Sequence, residues 1–192
     1  MPEKEISRLD GGHTKEDFTM AKTLIAFFSR ADENYFGGAM RYVKVGNTEI
    51  VVNIMKDMIS AGTFRIEMKE PYSPVYMTCI DQAKKHLREG VRPELVSLPD
   101  SIDEYDTIIL GYPNYWGTMP MAVFTFLEAF DFSGKTILPF CTNEGSGMGK
   151  SEKDIEKICG SANVAKGLSI NGSRAADSGD SVIKWLNKNG LI

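Results

Sequence analysis

The sequence has few of the residues that build disulfide frameworks and metal sites. It contains three widely spaced cysteines, Cys79, Cys141 and Cys159, with no CxxC pair, and only two histidines, His13 and His86. A disulfide framework or a structural zinc site needs more ligands at closer spacing. We therefore expect neither, and this cysteine usage predicts a cytoplasmic protein.

Long apolar runs and an excess of positive charge are also lacking. No stretch of about 18 apolar residues occurs, so no membrane-spanning helix is expected. The 26 acidic and 22 basic residues give a formal net charge of −4, which offers no electrostatic reason to expect nucleic acid binding. The 192 residues are 42% hydrophobic and 25% charged. This balance excludes disorder for the bulk of the chain and suffices for one well-buried core.

Residues 1–20 differ in character from the rest of the chain. They are mostly polar and aperiodic, and they precede a continuous apolar run at 23–28. The first residues contain no apolar segment of the kind found in a secretory signal. We predict a flexible N-terminal extension over residues 1–20 and one folded domain over 21–192.

Strand and helix patterns alternate from residue 21 onward. Most strand segments are short apolar runs, as in a parallel sheet covered on both faces, and the helical segments carry one apolar face. The segment 64–68 instead alternates apolar and charged residues, as a half-exposed edge strand does. Strands are predicted at 23–28, 64–68, 107–111, 136–140 and around 168–170. Five strand–helix units without internal repeats predict a single three-layer, doubly wound α/β domain around a five-stranded parallel sheet.

Ligands of such sheets lie beyond the carboxyl ends of the strands, so the loops after strands one, three and four are informative. After strand one come Ser29 and Arg30, then an interval at 31–45 with the composition of a hairpin or lid, then Gly46-Asn47-Thr48 at a helix start. Small polar side chains beside free backbone N–H groups can cradle a phosphate. The alternative is that Asn47 or Thr48 only caps the helix.

The loop after strand three carries two adjacent aromatic residues, Tyr115 and Trp116, between Pro113 and Gly117. An exposed aromatic pair at a strand end suits stacking on a planar ligand. The alternative is that both rings pack beneath the third helix.

The loop after strand four is rich in glycine. Its end, Gly149-Lys150-Ser151, resembles the end of a Walker A motif, but that motif needs glycine at the position of Glu144. A GxGxxG dinucleotide motif fails as well, because position 150 is lysine. We interpret the segment as a loop whose backbone N–H groups approach a polar ring edge. Cys141 has no base nearby in the sequence, which favours buried packing over a role as nucleophile.

Taken together, these segments resemble the flavodoxin family. The matching segments occur in the right order over residues 22–186, at 26–30, 46–49, 111–120, 132–135 and 139–147. The resemblance implies a flavodoxin-like fold with strand order 2-1-3-4-5 and non-covalently bound FMN. The interval at 31–45 departs from ordinary flavodoxins, whose phosphate loop is compact.

The resemblance also implies which residues contact FMN. The phosphate would be bound by the side chains of Ser29, Asn47 and Thr48 and by the backbone of Arg30 and Gly46. The isoalloxazine ring, with one aromatic side chain stacked on it, would be lined by Pro113, Asn114, Tyr115, Trp116 and Gly117. The pyrimidine edge of the ring would be covered by Thr142, Asn143, Glu144, Gly145 and Gly147. No catalytic residue and no metal ligand is assigned.

Three classes of function fit these expectations. The first is an FMN-binding electron carrier that works with redox partner proteins. The alternative is an FMN-dependent NAD(P)H oxidoreductase acting on quinones or similar small acceptors, which the mild net charge and the interval at 31–45 favour. A third class is a flavin-binding regulatory module without turnover. Both a monomer and a homodimer are compatible with the sequence.

Overall fold

Strands and helices alternate along the chain. The computed structural model describes residues 22–192, and the extension predicted over 1–20 lies outside them. The strands are β1 (Thr23–Phe27), β2 (Asp32–Phe36), β3 (Ala39–Val43), β4 (Gly62–Arg65), β5 (Thr107–Pro113), β6 (Thr136–Asn143), β7 (Asn163–Val164) and β8 (Leu168–Asn171). The helices are α1 (Asn47–Lys56), α2 (Tyr76–Glu89), α3 (Met121–Glu128), α4 (Ser151–Ile158) and α5 (Gly179–Lys188), with a 3₁₀ helix at Gly172–Asp177. No helix within residues 22–192 is long and apolar enough to cross a membrane.

The central sheet is parallel and has the order β4-β1-β5-β6, with β7 and β8 both paired to β6. The doubly wound α/β fold is therefore confirmed. Without the hairpin strands, β1, β4, β5 and β6 are the first four strands of the sheet in chain order, and β7 and β8 share the fifth position. Numbered in this way, the strand order is the predicted 2-1-3-4-5. The predicted count of five strands is corrected to six, because two short strands share the fifth position. The break between them lies opposite Pro139, which has no N–H to donate to a ladder.

The interval at 31–45 forms an antiparallel hairpin outside the central sheet, made of β2 and β3. Its turn is Gly37-Gly38, whose φ angles of +49° and +109° lie in the region that glycine adopts without steric cost. The predicted hairpin is thus present. It extends from the carboxyl end of β1 and returns to the start of α1.

The sheet has a separate apolar core on each face. Alternate residues of β1 point to opposite sides: Leu24 and Ala26 pack with residues of α2, α3 and α4, whereas Ile25 and Phe27 pack with residues of α1 and α5. All five residues of β1 are buried, which explains why its sequence after Thr23 is uniformly apolar. Helices on both faces leave the carboxyl ends of β1, β5 and β6 together at one edge of the sheet.

Candidate functional site

A cleft opens at this edge of the sheet. The loops after β1, β5 and β6 meet there with the hairpin, the start of α1 and the start of α2. The lining residues predicted from the sequence are Arg30, Asn47, Thr48, Pro113, Asn114, Tyr115, Thr142, Asn143 and Glu144. The lining residues that the sequence reasoning missed are Asn34, Tyr35, Tyr76, Ser146 and Gly172. The predicted residues that do not line the cleft are Ser29, Gly46, Trp116, Gly117, Gly145 and Gly147.

The start of α1 presents free backbone donors to this cleft. No side chain makes a capping hydrogen bond at the Gly46 N-cap, so neither Asn47 nor Thr48 acts as the helix cap. The buried Ser29 hydroxyl accepts a hydrogen bond from the Glu49 N–H at 3.1 Å. Within the described part of the chain, the N–H groups of Asn47 and Thr48 have no acceptor. The Thr48 hydroxyl lies 2.9 Å from that of Thr142, which joins α1 to the end of β6.

Gly46 allows β1 and α1 to approach closely. A Cβ atom at this position would overlap the Arg30 carbonyl oxygen and the Ser29 hydroxyl. We expect Gly46→Ala to lower the free energy of unfolding by about 1–3 kcal/mol, because a backbone oxygen cannot rotate away from the added methyl group. Urea denaturation would measure this loss. Gly179→Ala is the matched control, since a Cβ there meets open space; equal stability of the two variants would contradict the expectation.

Tyr115 and Trp116 point in different directions. Tyr115 and Thr118 exchange backbone hydrogen bonds across a tight turn in which Trp116 has a φ of +56°. The Trp116 indole N–H donates to the Ile80 carbonyl at 2.8 Å, and the Lys84 ammonium lies 4.8 Å from the ring centre. Trp116 therefore lies against α2, outside the cleft, whereas Tyr115 lines it. The two interpretations of this segment by itself treated the rings as a pair, whereas the resemblance implied only one stacked ring.

The side-chain amides of Asn114 and Asn143 organise the two loops that they begin. Asn114 donates to the Gly147 carbonyl at 2.8 Å and accepts from the Gly117 N–H at 2.9 Å. The Asn143 side-chain oxygen accepts from the N–H groups of Gly145 and Gly147 at 3.0 and 2.9 Å. Most of the hydrogen-bonding groups of these two side chains are therefore engaged with the protein's own backbone. They shape the backbone around the cleft.

Glu144 joins the hairpin to the far side of the cleft. Its carboxylate accepts hydrogen bonds from the Gly37 N–H at 3.0 Å, from the Ser173 N–H at 2.6 Å and from the Ser173 hydroxyl at 2.5 Å. Gly172, beside Ser173, leaves room for this arrangement, since a Cβ there would lie 2.5 Å from the Asn47 amide nitrogen. The tip of the hairpin is thus attached to the loop after β6.

Arg30 and Glu33 fix the base of the hairpin. The Arg30 guanidinium donates to the carbonyls of Glu33, Ser73 and Pro74 at 2.7–2.9 Å. The Glu33 carboxylate accepts from the Tyr76 N–H, at the start of α2, at 2.9 Å. The guanidinium is therefore engaged in holding the segment before α2.

The Cys141 thiol is not available as a nucleophile. Cys141 is fully buried, and burial raises the pKa of its thiol to about 12. A thiol with so high a pKa is not a nucleophile at neutral pH. Within residues 22–192, no group of three His, Cys, Asp or Glu side chains is arranged to hold a metal ion.

Comparison with known proteins places the chain among flavoproteins. A flavodoxin family model matches residues 39–189. No curated protein matches the chain. The solved structure of a candidate flavoprotein from Bacteroides uniformis covers 87% of this chain and 98% of its own, with 29% identity and a TM-score of 0.69.

Two further solved structures share the fold at lower identity. A candidate flavoprotein from Bacteroides eggerthii covers 88% of this chain and 97% of its own, with 22% identity and a TM-score of 0.68. A flavoprotein from Lactobacillus acidophilus, solved in complex with FMN, covers 86% and 98%, with 18% identity and a TM-score of 0.58. The family match spans the start of α1 and the loops after β5 and β6. The chain therefore belongs to the flavodoxin family, whose cofactor is FMN.

Proposed function

We propose that this protein is an electron carrier that holds FMN in the cleft at the carboxyl ends of β1, β5 and β6. The observation that carries the proposal is the pair of backbone N–H groups of Asn47 and Thr48, which lack an acceptor within residues 22–192 and begin α1. The start of a helix is a favourable site for an anion, because its free N–H groups and its dipole both favour negative charge. The FMN phosphate is the anionic group that this position suits.

The rest of the cleft fits the planar part of FMN. Its wall is formed by aromatic side chains, among them Tyr115, which packs edge-on against Phe28 at a centroid distance of 6.2 Å. Aromatic walls suit a planar ring system. Glu144 and Ser146, from the loop at 144–147, lie on the polar side of the cleft.

Five predicted residues that do not line the cleft instead position the helix and the loops that do. Ser29 holds the first turn of α1 in place, and Gly46 lets that turn approach β1. Gly117, Gly145 and Gly147 donate their N–H groups to the asparagine side chains that shape the loops. When bound, FMN supplies the redox chemistry, and these residues bind and orient it.

The position of the hairpin favours an electron carrier over an NAD(P)H oxidoreductase. Hydride transfer from a nicotinamide requires an open flavin face. Here the hairpin is attached to α2 through Glu33 and to the loop after β6 through Glu144, and its residues Asn34 and Tyr35 form part of the cleft lining, which narrows the approach to a bound flavin. An electron carrier needs only an edge of the ring within reach of its partner protein.

Anaerobic titration of the FMN-loaded protein separates these functions. We expect NAD(P)H to leave the visible absorbance of the flavin unchanged, because the hairpin narrows the approach of a nicotinamide to the flavin face. Dithionite is then expected to reduce the flavin in two separate one-electron steps. Bleaching by NAD(P)H within seconds, followed by turnover with a quinone, would instead establish the oxidoreductase. Failure of the protein to bind FMN would refute both functions.

A further inference from the structure

Three tyrosine rings line the cleft, and each comes from a different part of the fold. Tyr115 follows β5, Tyr76 begins α2, and Tyr35 lies on β2 of the hairpin. Trp116, which follows Tyr115 in the sequence, is not part of this lining. The hairpin therefore contributes an aromatic side chain to the same cleft as the three loops at the carboxyl ends of the strands.

Tyr35 and Tyr76 form an aromatic pair. Their ring centroids are 6.3 Å apart and their planes are inclined by 30°. Burial raises the pKa of the Tyr76 hydroxyl, which keeps this residue neutral at physiological pH. Neither hydroxyl has a hydrogen-bond partner within the described part of the chain, and Tyr35 is 38% exposed. The pair thus offers an aromatic surface with two available hydroxyl groups.

Two hydrogen bonds fix the hairpin on either side of Tyr35. Glu33 ties the hairpin to the Tyr76 N–H on one side, and Glu144 ties its tip to the loop after β6 on the other. Tyr35 lies between these two attachments. A contact residue fixed in this way loses little conformational entropy when a ligand binds, so its contact contributes more to affinity.

We propose that Tyr35 is a direct contact of the isoalloxazine ring, and that Trp116 is not. The inference rests on the proposed function, because it assigns the ring of FMN to the part of the cleft beside Tyr35, Tyr76 and Tyr115. Trp116 instead holds the loop after β5 against α2, through its hydrogen bond to Ile80 and its contact with Lys84. The hairpin is then an integral part of the cofactor site.

The variants Tyr35→Ala, Tyr35→Phe and Trp116→Ala test this assignment. We expect Tyr35→Ala to weaken FMN binding by about tenfold, as loss of an aromatic contact and its buried area does. Tyr35→Phe retains the ring and is expected to stay within about threefold of the wild type, since a single exposed hydroxyl is lost. Trp116→Ala loosens the loop after β5 without removing a ring from the cleft, so it is expected to weaken FMN binding less than Tyr35→Ala does and to leave the quenching of the flavin unchanged.

Flavin fluorescence separates a ring contact from a structural role, because a side chain that only stabilises the fold does not change the emission of bound FMN. An aromatic ring in contact with the isoalloxazine quenches its emission, so FMN bound to Tyr35→Ala is expected to be brighter than FMN bound to the wild type or to Tyr35→Phe. Circular dichroism of each free variant checks that it is folded. A loss of affinity and of quenching in Trp116→Ala, with neither in Tyr35→Ala, would overturn the inference and leave the proposed function standing. Absence of FMN binding by the wild-type protein would refute the proposed function itself.

Discussion

Asn47→Asp is expected to weaken FMN binding by about 100-fold or more without destabilising the free protein. Two unit charges of the same sign about 4 Å apart repel each other by about 4 kcal/mol at an effective dielectric constant near 20, and each 1.4 kcal/mol is a factor of ten in affinity. Asn47 is the first residue of α1 and lines the cleft. A carboxylate in the first turn of a helix stabilises it by about 0.3–1 kcal/mol. The substitution therefore acts on binding and on stability with opposite signs.

Riboflavin and a second variant make this test specific for the phosphate. Riboflavin carries the same ring but no phosphate, so Asn47→Asp is expected to bind it as well as the wild type does. Asn53→Asp places the same charge on the exposed face of α1, away from the cleft, and is expected to leave FMN affinity unchanged. Titration calorimetry with both ligands measures these affinities. If Asn47→Asp binds FMN normally, the phosphate lies elsewhere.

Gly149→Ala is expected to be the most destabilising of the glycine substitutions considered. Gly149 has a φ of +58°, and a Cβ there would overlap the Gly117 carbonyl oxygen, which also accepts from the Lys150 N–H at 2.8 Å. The left-handed conformation costs about 1–2 kcal/mol with a side chain present, and the overlap adds about 1–3 kcal/mol. Both loops that flank the ring position must shift, so FMN affinity is expected to fall as well.

Gly147→Ala is the matched control for the overlap. Gly147 has a similar φ of +64°, but a Cβ there meets no atom within 4 Å. The free energy of unfolding of this variant is therefore expected to fall only by the cost of a left-handed backbone with a side chain present, about 1–2 kcal/mol. Urea denaturation of the two variants isolates the cost of the overlap as their difference. Equal losses would show that the loops after β5 and β6 do not depend on this close approach.

These contacts explain the apparent Walker A ending without a nucleotide. Gly149 lets two loops meet, and the Lys150 N–H bonds the Gly117 carbonyl. The Ser151 hydroxyl accepts from Tyr112 at 2.8 Å and donates to the Met148 carbonyl at 2.6 Å. The glycine, lysine and serine are thus used for packing and hydrogen bonding between the loop and the sheet.

The sequence by itself determined the fold class and the location of the cleft. Buried parallel strands must be apolar on both faces, so runs such as Thr23–Phe28 and Thr107–Gly111 stand out. The alternation of such runs with amphipathic helices allows few arrangements other than a doubly wound sheet. Loops at the carboxyl ends of its strands must then converge, which is why most of the cleft lining is predictable.

Only the tertiary structure decided which aromatic side chains face the cleft and what covers it. The left-handed backbone of Trp116 turns its indole toward α2, and this conformation leaves no mark in the local sequence. The hairpin is a local pattern, but its position over the cleft depends on the bond between Gly37 and Glu144, which are 107 residues apart in the chain. Tyr35 and Tyr76 likewise come together only through contacts between segments that are distant in the chain. Periodicity reports whether a segment is buried, whereas the direction of a side chain depends on backbone angles and on contacts between distant segments.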